Sequence, residues 1–264
     1  MQTRLLTSVL LGLACLTALP AAAQQNGAAT LASREHPLPL ATDFNLITAI
    51  DASDSINRHD EALQYDGLAR GVIDAEFLRR VAEGTERRIG FAAFTWSSGG
   101  QIDVIVPWTV IETRADAERV AMQFGDAPRI DRSGSGRYAP LSSNTDRYRG
   151  GMTDIAEAIQ TAVQLSLDAP FRTPRVVINI LSDGIDNYGQ SPAVARDLAV
   201  AMGITINGVA FGDREDLPDY FRENVIGGPG AFLMTIRETV DMPEVLEKKF
   251  WQDLLASLPE PAAG

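Results

Sequence analysis

The sequence predicts an α/β fold: a doubly wound, mostly parallel central sheet with one antiparallel edge strand and helices on both faces. Three observations predict it. Strand-like apolar runs alternate with helical patterns along the chain, as in successive βαβ units. Phe44–Ile50 reads as a buried strand, and Val176–Leu181 is almost continuously apolar, as a strand covered on both faces must be. The chain has 264 residues, 45% hydrophobic and 22% charged, which is globular composition with enough length for a large core.

The N-terminus reads as an address. Arg4, the apolar stretch Leu5–Leu19 and the small residues Ala21-Ala22-Ala23 form a secretory signal over residues 1–23. That stretch is short for a membrane anchor, which needs about 20 apolar residues. Gly12 stands three before Cys15, where a lipidation signal usually carries Leu. The expected product is therefore exported, periplasmic or secreted, with no membrane insertion after cleavage. Residues 24–42 are polar and small, a flexible arm. Residues 43–258 form one domain, and 259–264 a Pro/Ala tail.

Each element has its reason. The strand Phe44–Ile50 ends at Asp51. Helices follow over His59–Arg70 and Asp74–Ala82, with Gly84 as a stop. Ile89–Trp96 is a second strand and Ile102–Val110 a third; Pro107 has no amide to donate, so the third belongs at an edge. Arg114–Phe124 reads as helix, and the polar segment Gly125–Gly151 follows. Ile155, Ile159, Ala162 and Val163 give Asp154–Leu167 helical spacing. After the strand Val176–Leu181, Ser191-Pro192 supplies a cap and a first-turn proline to a helix that Gly203 closes. Ile204–Phe211 and Ala231–Ile236 are the last strands. Met242–Leu258 is a closing helix with a buried stripe of Leu246, Phe250, Trp251, Leu254 and Leu255.

Charge narrows the functional classes. The formal charge is −12, so the chain is a poor binder of nucleic acid phosphates or of an anionic membrane surface. Cys15 is the one cysteine, which excludes an internal disulfide framework and a cysteine-based zinc site.

Ligands of open parallel sheets bind beyond the carboxyl ends of the strands. There the first strand runs into Asp51-Ala52-Ser53-Asp54-Ser55, and Val176–Leu181 runs into Ser182-Asp183-Gly184. Gly150-Gly151-Met152-Thr153 opens a helix on the same edge. The fold thus gathers Asp51, Ser53, Ser55, Thr153 and Asp183, all hard oxygen donors. Such a set suits Mg²⁺, Mn²⁺ or Ca²⁺ in preference to zinc or copper. The competing reading of Asp-x-Ser-x-Ser is a turn whose hydroxyls cap the next helix.

These residues resemble the metal-ion-dependent adhesion site (MIDAS) of von Willebrand factor A domains, as in integrin inserted domains. The resemblance spans residues 43–258. Val106-Pro107-Trp108-Thr109 and Asn224–Phe232 are similar to an uncharacterised group of exported bacterial A-like proteins. It implies a Rossmann-like fold in which Asp51, Ser53, Ser55 and Thr153 face the metal, Mg²⁺ before Mn²⁺ or Ca²⁺, and Asp183 acts directly or through water. It implies also a protein partner that presents an Asp or Glu carboxylate. One position departs: the residue before the last serine, usually Gly in the family, is Asp54, which either points to solvent or adds a third carboxylate near the ion.

Between Asp126 and Gly150 lie Arg129, Arg132, Arg137, Arg147 and Arg149 against Asp126, Asp131 and Asp146. The segment is either an arginine rim selecting an acidic partner, with Arg132, Arg137 and Arg147 as candidates, or a solvated loop. No catalytic residue is assigned. A metal-assisted hydrolase, phosphoesterase-like, is the alternative, but it needs a positioned base or a second metal. His36 falls in the arm and His59 at a helix start. A degenerate domain without metal is a third reading, supported by Asp54 alone. Trp96 and Trp108 read as packing residues, and Gly227-Gly228-Pro229-Gly230 as a turn.

Overall fold

The computed structural model describes residues 39–130 and 151–257. Six strands form the central sheet: β2 (Asn45–Asp51), β3 (Ile89–Trp96), β4 (Ile102–Ile111), β6 (Val176–Ser182), β7 (Thr205–Phe211) and β8 (Leu233–Ile236). Their order is β4-β3-β2-β6-β7-β8. All pairs are parallel except β3 with β4, so the strand carrying Pro107 is the antiparallel edge. β1 (Leu40–Ala41) pairs with β5 (Phe171–Arg172) in a separate two-stranded ladder. Both lack a strand-length apolar run, and β1 falls inside the stretch expected to be a loose arm.

Among the described residues seven α-helices flank the sheet: α1 (Arg58–Ile73), α2 (Ala75–Glu83), α3 (Arg114–Gly125), α4 (Ile155–Leu167), α5 (Pro192–Ala201), α6 (Leu217–Asn224) and α7 (Met242–Ser257). The period of two along β2 sends Leu46 and Ile50 to one face and Ile47 and Ala49 to the other. On the first face they join Leu68, Phe77, Phe91, Phe124, Leu246 and Phe250 from α1, α2, β3, α3 and α7. On the second they join Phe94, Trp96, Ile155, Ile159, Ile178, Ile180 and Phe221. Phe91 meets Phe250 edge-on at 5.5 Å between ring centres, a contact worth about 0.5–1.5 kcal/mol beyond its buried area. α1 approaches α7 closely because Gly67 and Gly71 face it. A Cβ on either would come within 2.8 Å of Leu246 atoms.

Four helix starts follow their caps, whereas α5 and α6 begin without a side-chain capping bond. Asn57, Asp74, Thr113 and Asp154 each accept backbone amides from the turn they open. Ser191 stands at the predicted N-cap of α5, but its side chain makes no capping bond there; Pro192 at the first position sets the start. The expected α7 stripe is also corrected: Leu246, Phe250 and Leu254 are buried and Trp251 half-buried, but Leu255 is exposed. No helix among the described residues is long and apolar enough to cross a membrane.

Candidate metal centre

The carboxyl ends of β2 and β6 lie side by side, because Ile50 pairs in register with Leu181. Asp51 is buried there, and both carboxylate oxygens are engaged. Oδ1 accepts the Ser53 amide at 2.7 Å, and Oδ2 accepts the Ser182 hydroxyl. The Ser53 and Ser55 hydroxyls lie 3.0 Å apart, and Ser55 Oγ donates to Asp183 Oδ1 at 2.7 Å. Thr153 is buried, and its Oγ1 lies 3.1 Å from where a Cβ on Gly184 would stand. The five residues singled out from the sequence therefore meet at one edge of the sheet. Asp51, Ser53 and Thr153 are buried, Asp183 is partly covered and Ser55 is exposed, so the cluster opens on one side.

Its electrostatics are one-sided. Among the described residues neither Asp51 nor Asp183 has a lysine, arginine or histidine partner. Burial, and then the charge of Asp183, push the Asp51 carboxyl up to about 7. Burial also raises Asp183, against the Ser55 hydrogen bond, and Asp60 adds to the rise. Asp60 sits in the first turn of α1, buried, where it accepts Asn57 Nδ2 at 2.6 Å. Two carboxylates short of positive charge, with three hydroxyls around them, fit a hard divalent cation. No group of three or more His, Cys, Asp or Glu side chains suited to a metal occurs among the described residues, so a site here depends on its hydroxyl donors.

The sequence reading missed Ser182, Asp60 and Asn187. The sequence places Ser182 just beyond the strand Val176–Leu181 without giving it a role, and only the pairing of β2 with β6 reveals that it faces Asp51. Asn187 Oδ1 accepts the Thr153 amide at 2.9 Å, and its own amide donates to Thr153 O at 3.0 Å. Asp186 Oδ1 accepts the Ile155 amide at 2.7 Å, and burial lifts its carboxyl to about 6.

The rim candidates fare differently. Asp54 is exposed, yet its amide donates to Gly151 O at 2.6 Å and its carboxylate rests against the Gly151 Cα. A side chain at 151 would meet that carboxylate, and the φ of 101° there favours glycine as well. Arg132, Arg137 and Arg147 lie outside the described residues. The stretch just before them is packed along α1: Ile130 is buried with its amide on Glu61 Oε1 at 2.7 Å, and Arg129 lies 4.5 Å over the Tyr65 ring. His59 is exposed in the first turn of α1. Trp96 is in the core, and Trp108 Nε1 donates to Leu165 O at 3.1 Å.

Comparison with known proteins places this geometry. Three solved structures share the architecture. The proximal thread matrix protein 1 of the mussel byssus, described with a zinc-occupied MIDAS motif, is 16% identical with a TM-score of 0.54, over 82% of this chain and 49% of that one. A von Willebrand factor type A protein from Catenulispora acidiphila is 15% identical, TM-score 0.51, over 81% and 43%. The pilus adhesin SpaC of Lactobacillus rhamnosus GG is 11% identical, TM-score 0.51, over 82% and 31%. The chain thus spans half or less of each of these proteins, and at such identities the likeness is one of fold. No curated protein matches the sequence. The family model for proteins of unknown function DUF1194 matches residues 41–137 and 135–258, nearly all of the sheet and its helices. The chain belongs to the DUF1194 family and has the von Willebrand factor A fold.

Proposed function

We propose that this chain is an exported, metal-dependent protein-binding module of the adhesion or scaffold kind. Asp51, Ser53, Ser55, Thr153 and Asp183 would hold a divalent cation, Mg²⁺ by assignment, with Mn²⁺ and Ca²⁺ the other hard ions that suit the donors. When bound, the ion supplies an electrophilic centre for an Asp or Glu carboxylate of a protein partner. The observation that carries this reading is the pair of carboxylates with no basic partner among the described residues, beneath an opening lined by Ser55 and Asp183. The MIDAS-bearing mussel protein and the pilus adhesin support it by fold. The leader over residues 1–23 supports export. Hydrolysis would call for a general base within reach of substrate, and the one described histidine, His59, is exposed in the first turn of α1.

Calorimetric titration with Mg²⁺ and Mn²⁺, with Zn²⁺ as a competitor, tests the cation. Wild type should bind one ion, and Asp51→Ala should lose affinity by about 10-fold or more. Capture from the exporting cell's envelope in Mg²⁺, abolished by EDTA and by Asp51→Ala, tests the partner. Metal-dependent turnover of a phosphoester or ester panel, abolished by the same substitution, would replace the binding reading with a hydrolase.

A further inference from the structure

The last residue of β6 and the turn that follows it touch every other segment of the cluster, and from this we infer that Ser182 and Asn187 are positioning residues for the cation site. The inference rests on the metal reading above. Ser182 and Asp183 are consecutive and reach in different directions. The Ser182 hydroxyl donates to Asp51 Oδ2, while Asp183 receives the Ser55 hydroxyl. The Gly184 amide donates to Ser182 Oγ at 3.1 Å, so the serine oxygen is held from behind and its proton is free for Asp51. Three residues after Gly184, Asn187 clasps Thr153 from both sides of its peptide, by side chain to the amide and by backbone to the carbonyl. Asp186 ties down the next turn at Ile155.

This arrangement divides the labour. With Ser53 N on Oδ1 and Ser182 Oγ on Oδ2, the Asp51 carboxylate plane is fixed. Without Ser182 that plane could rotate about its single bond and carry its charge away from the hydroxyls. Thr153 precedes the regular helix α4 and takes no part in its hydrogen-bond ladder, so its placement depends on the Asn187 clasp. Residues that orient metal-binding groups in this way commonly change metal affinity by 10- to 100-fold when removed. Neither is itself a donor to the ion.

The test is Mn²⁺ titration calorimetry on wild type, Ser182→Ala, Ser182→Thr and Asn187→Ala, beside thermal melting of each metal-free protein. Ser182→Ala should weaken Mn²⁺ binding about 10-fold, and Ser182→Thr, which keeps the hydroxyl, should restore it to within about 3-fold. Asn187 is exposed, so Asn187→Ala should weaken binding about 5- to 10-fold while the metal-free melting temperature stays within about 2 °C of wild type. Lowered melting temperatures with unchanged Mn²⁺ affinity would make both residues structural only and overturn the inference. Should Ser182→Ala fold poorly, the threonine and Asn187 variants decide the matter alone. Failure of wild type to bind Mn²⁺ is a separate result, and it removes the metal reading itself.

Discussion

Among the described residues, two buried polar clusters invite comparison, one balanced and one not. Under α7, Lys249 and Asp253 are fully buried and paired with each other. Lys249 Nζ also donates to Asn179 Oδ1 at 2.6 Å and lies 4.5 Å from the Phe232 ring centre. Asp253 accepts Asn179 Nδ2 at 2.7 Å and Asn207 Nδ2 at 2.8 Å, and Asn207 Oδ1 takes the Phe232 amide. Every charge there has its opposite. At the end of β2, Asp51 and Asp183 have hydroxyls and amides but, among the described residues, no basic side chain. Both clusters bear on the same strand β6, through Asn179 and Ser182. The difference teaches where to look for function: buried polarity complete within the chain fastens a helix, and buried charge left incomplete awaits something from outside.

The largest effect should come from unbalancing the balanced cluster. Lys249→Met leaves the Asp253 carboxylate buried without its cation. That change should cost roughly 3–5 kcal/mol in urea unfolding. Adding Asp253→Leu should recover much of the loss, since an apolar pair of similar volume avoids the desolvation penalty. If the single variant unfolds like wild type, the pair is not dry and the contrast between the clusters fails.

How far the sequence revealed these features depended on whether local pattern or tertiary contact set them. Phe44–Ile50 followed by Asp51 was legible because an apolar run ending in an acid is a local pattern. The Pro107 edge was legible for a similar reason: a missing amide acts at its own position. Lys249–Asp253 was not. Lys248 and Glu244, four apart on the same helix, make an ion pair of the same kind but with side chains 51% and 72% exposed, whereas Lys249 and Asp253 are at 0%. Spacing cannot separate the two; the angular position against Phe250 and the sheet does. α6 escaped notice because Leu217 and Phe221 are the only buried side chains along it. The set Asp51, Ser53, Ser55, Thr153 and Asp183 was legible as a convergence of strand ends, but the supports Ser182 and Asn187 required register.

A second substitution should move stability in the opposite direction. Asp51→Asn removes a buried charge that lacks a basic partner but keeps the hydrogen bonds. Its Oδ1 can still take the Ser53 amide, and its new NH₂ can donate to Ser182 Oγ, whose proton turns to Gly184 O at 3.2 Å. The metal-free variant should therefore be more stable than metal-free wild type, by roughly 1–3 kcal/mol at pH 8. Mn²⁺ should raise the melting temperature of wild type but not of the variant. A variant less stable than wild type without metal would mean that Asp51 is already compensated within the chain.

The smallest effect, and the sharpest on the boundary of the unbalanced cluster, belongs to Asp54. Its carboxylate is exposed and rests against Gly151, one residue from Ser53 and Ser55. An exposed charge is well solvated and acts on its neighbours through water, so its removal should change stability by no more than about 1 kcal/mol. Asp54→Gly should therefore leave the melting temperature nearly unchanged and lower Mn²⁺ affinity by only about 2- to 3-fold, an effect that fades at high salt as the remaining attraction is screened. A loss beyond about 10-fold that persists in salt has a different meaning: Asp54 would then have to turn from Gly151 toward the ion. In that case the cluster would carry three carboxylates around a divalent cation, and its excess charge would favour the cation at the expense of an acidic partner.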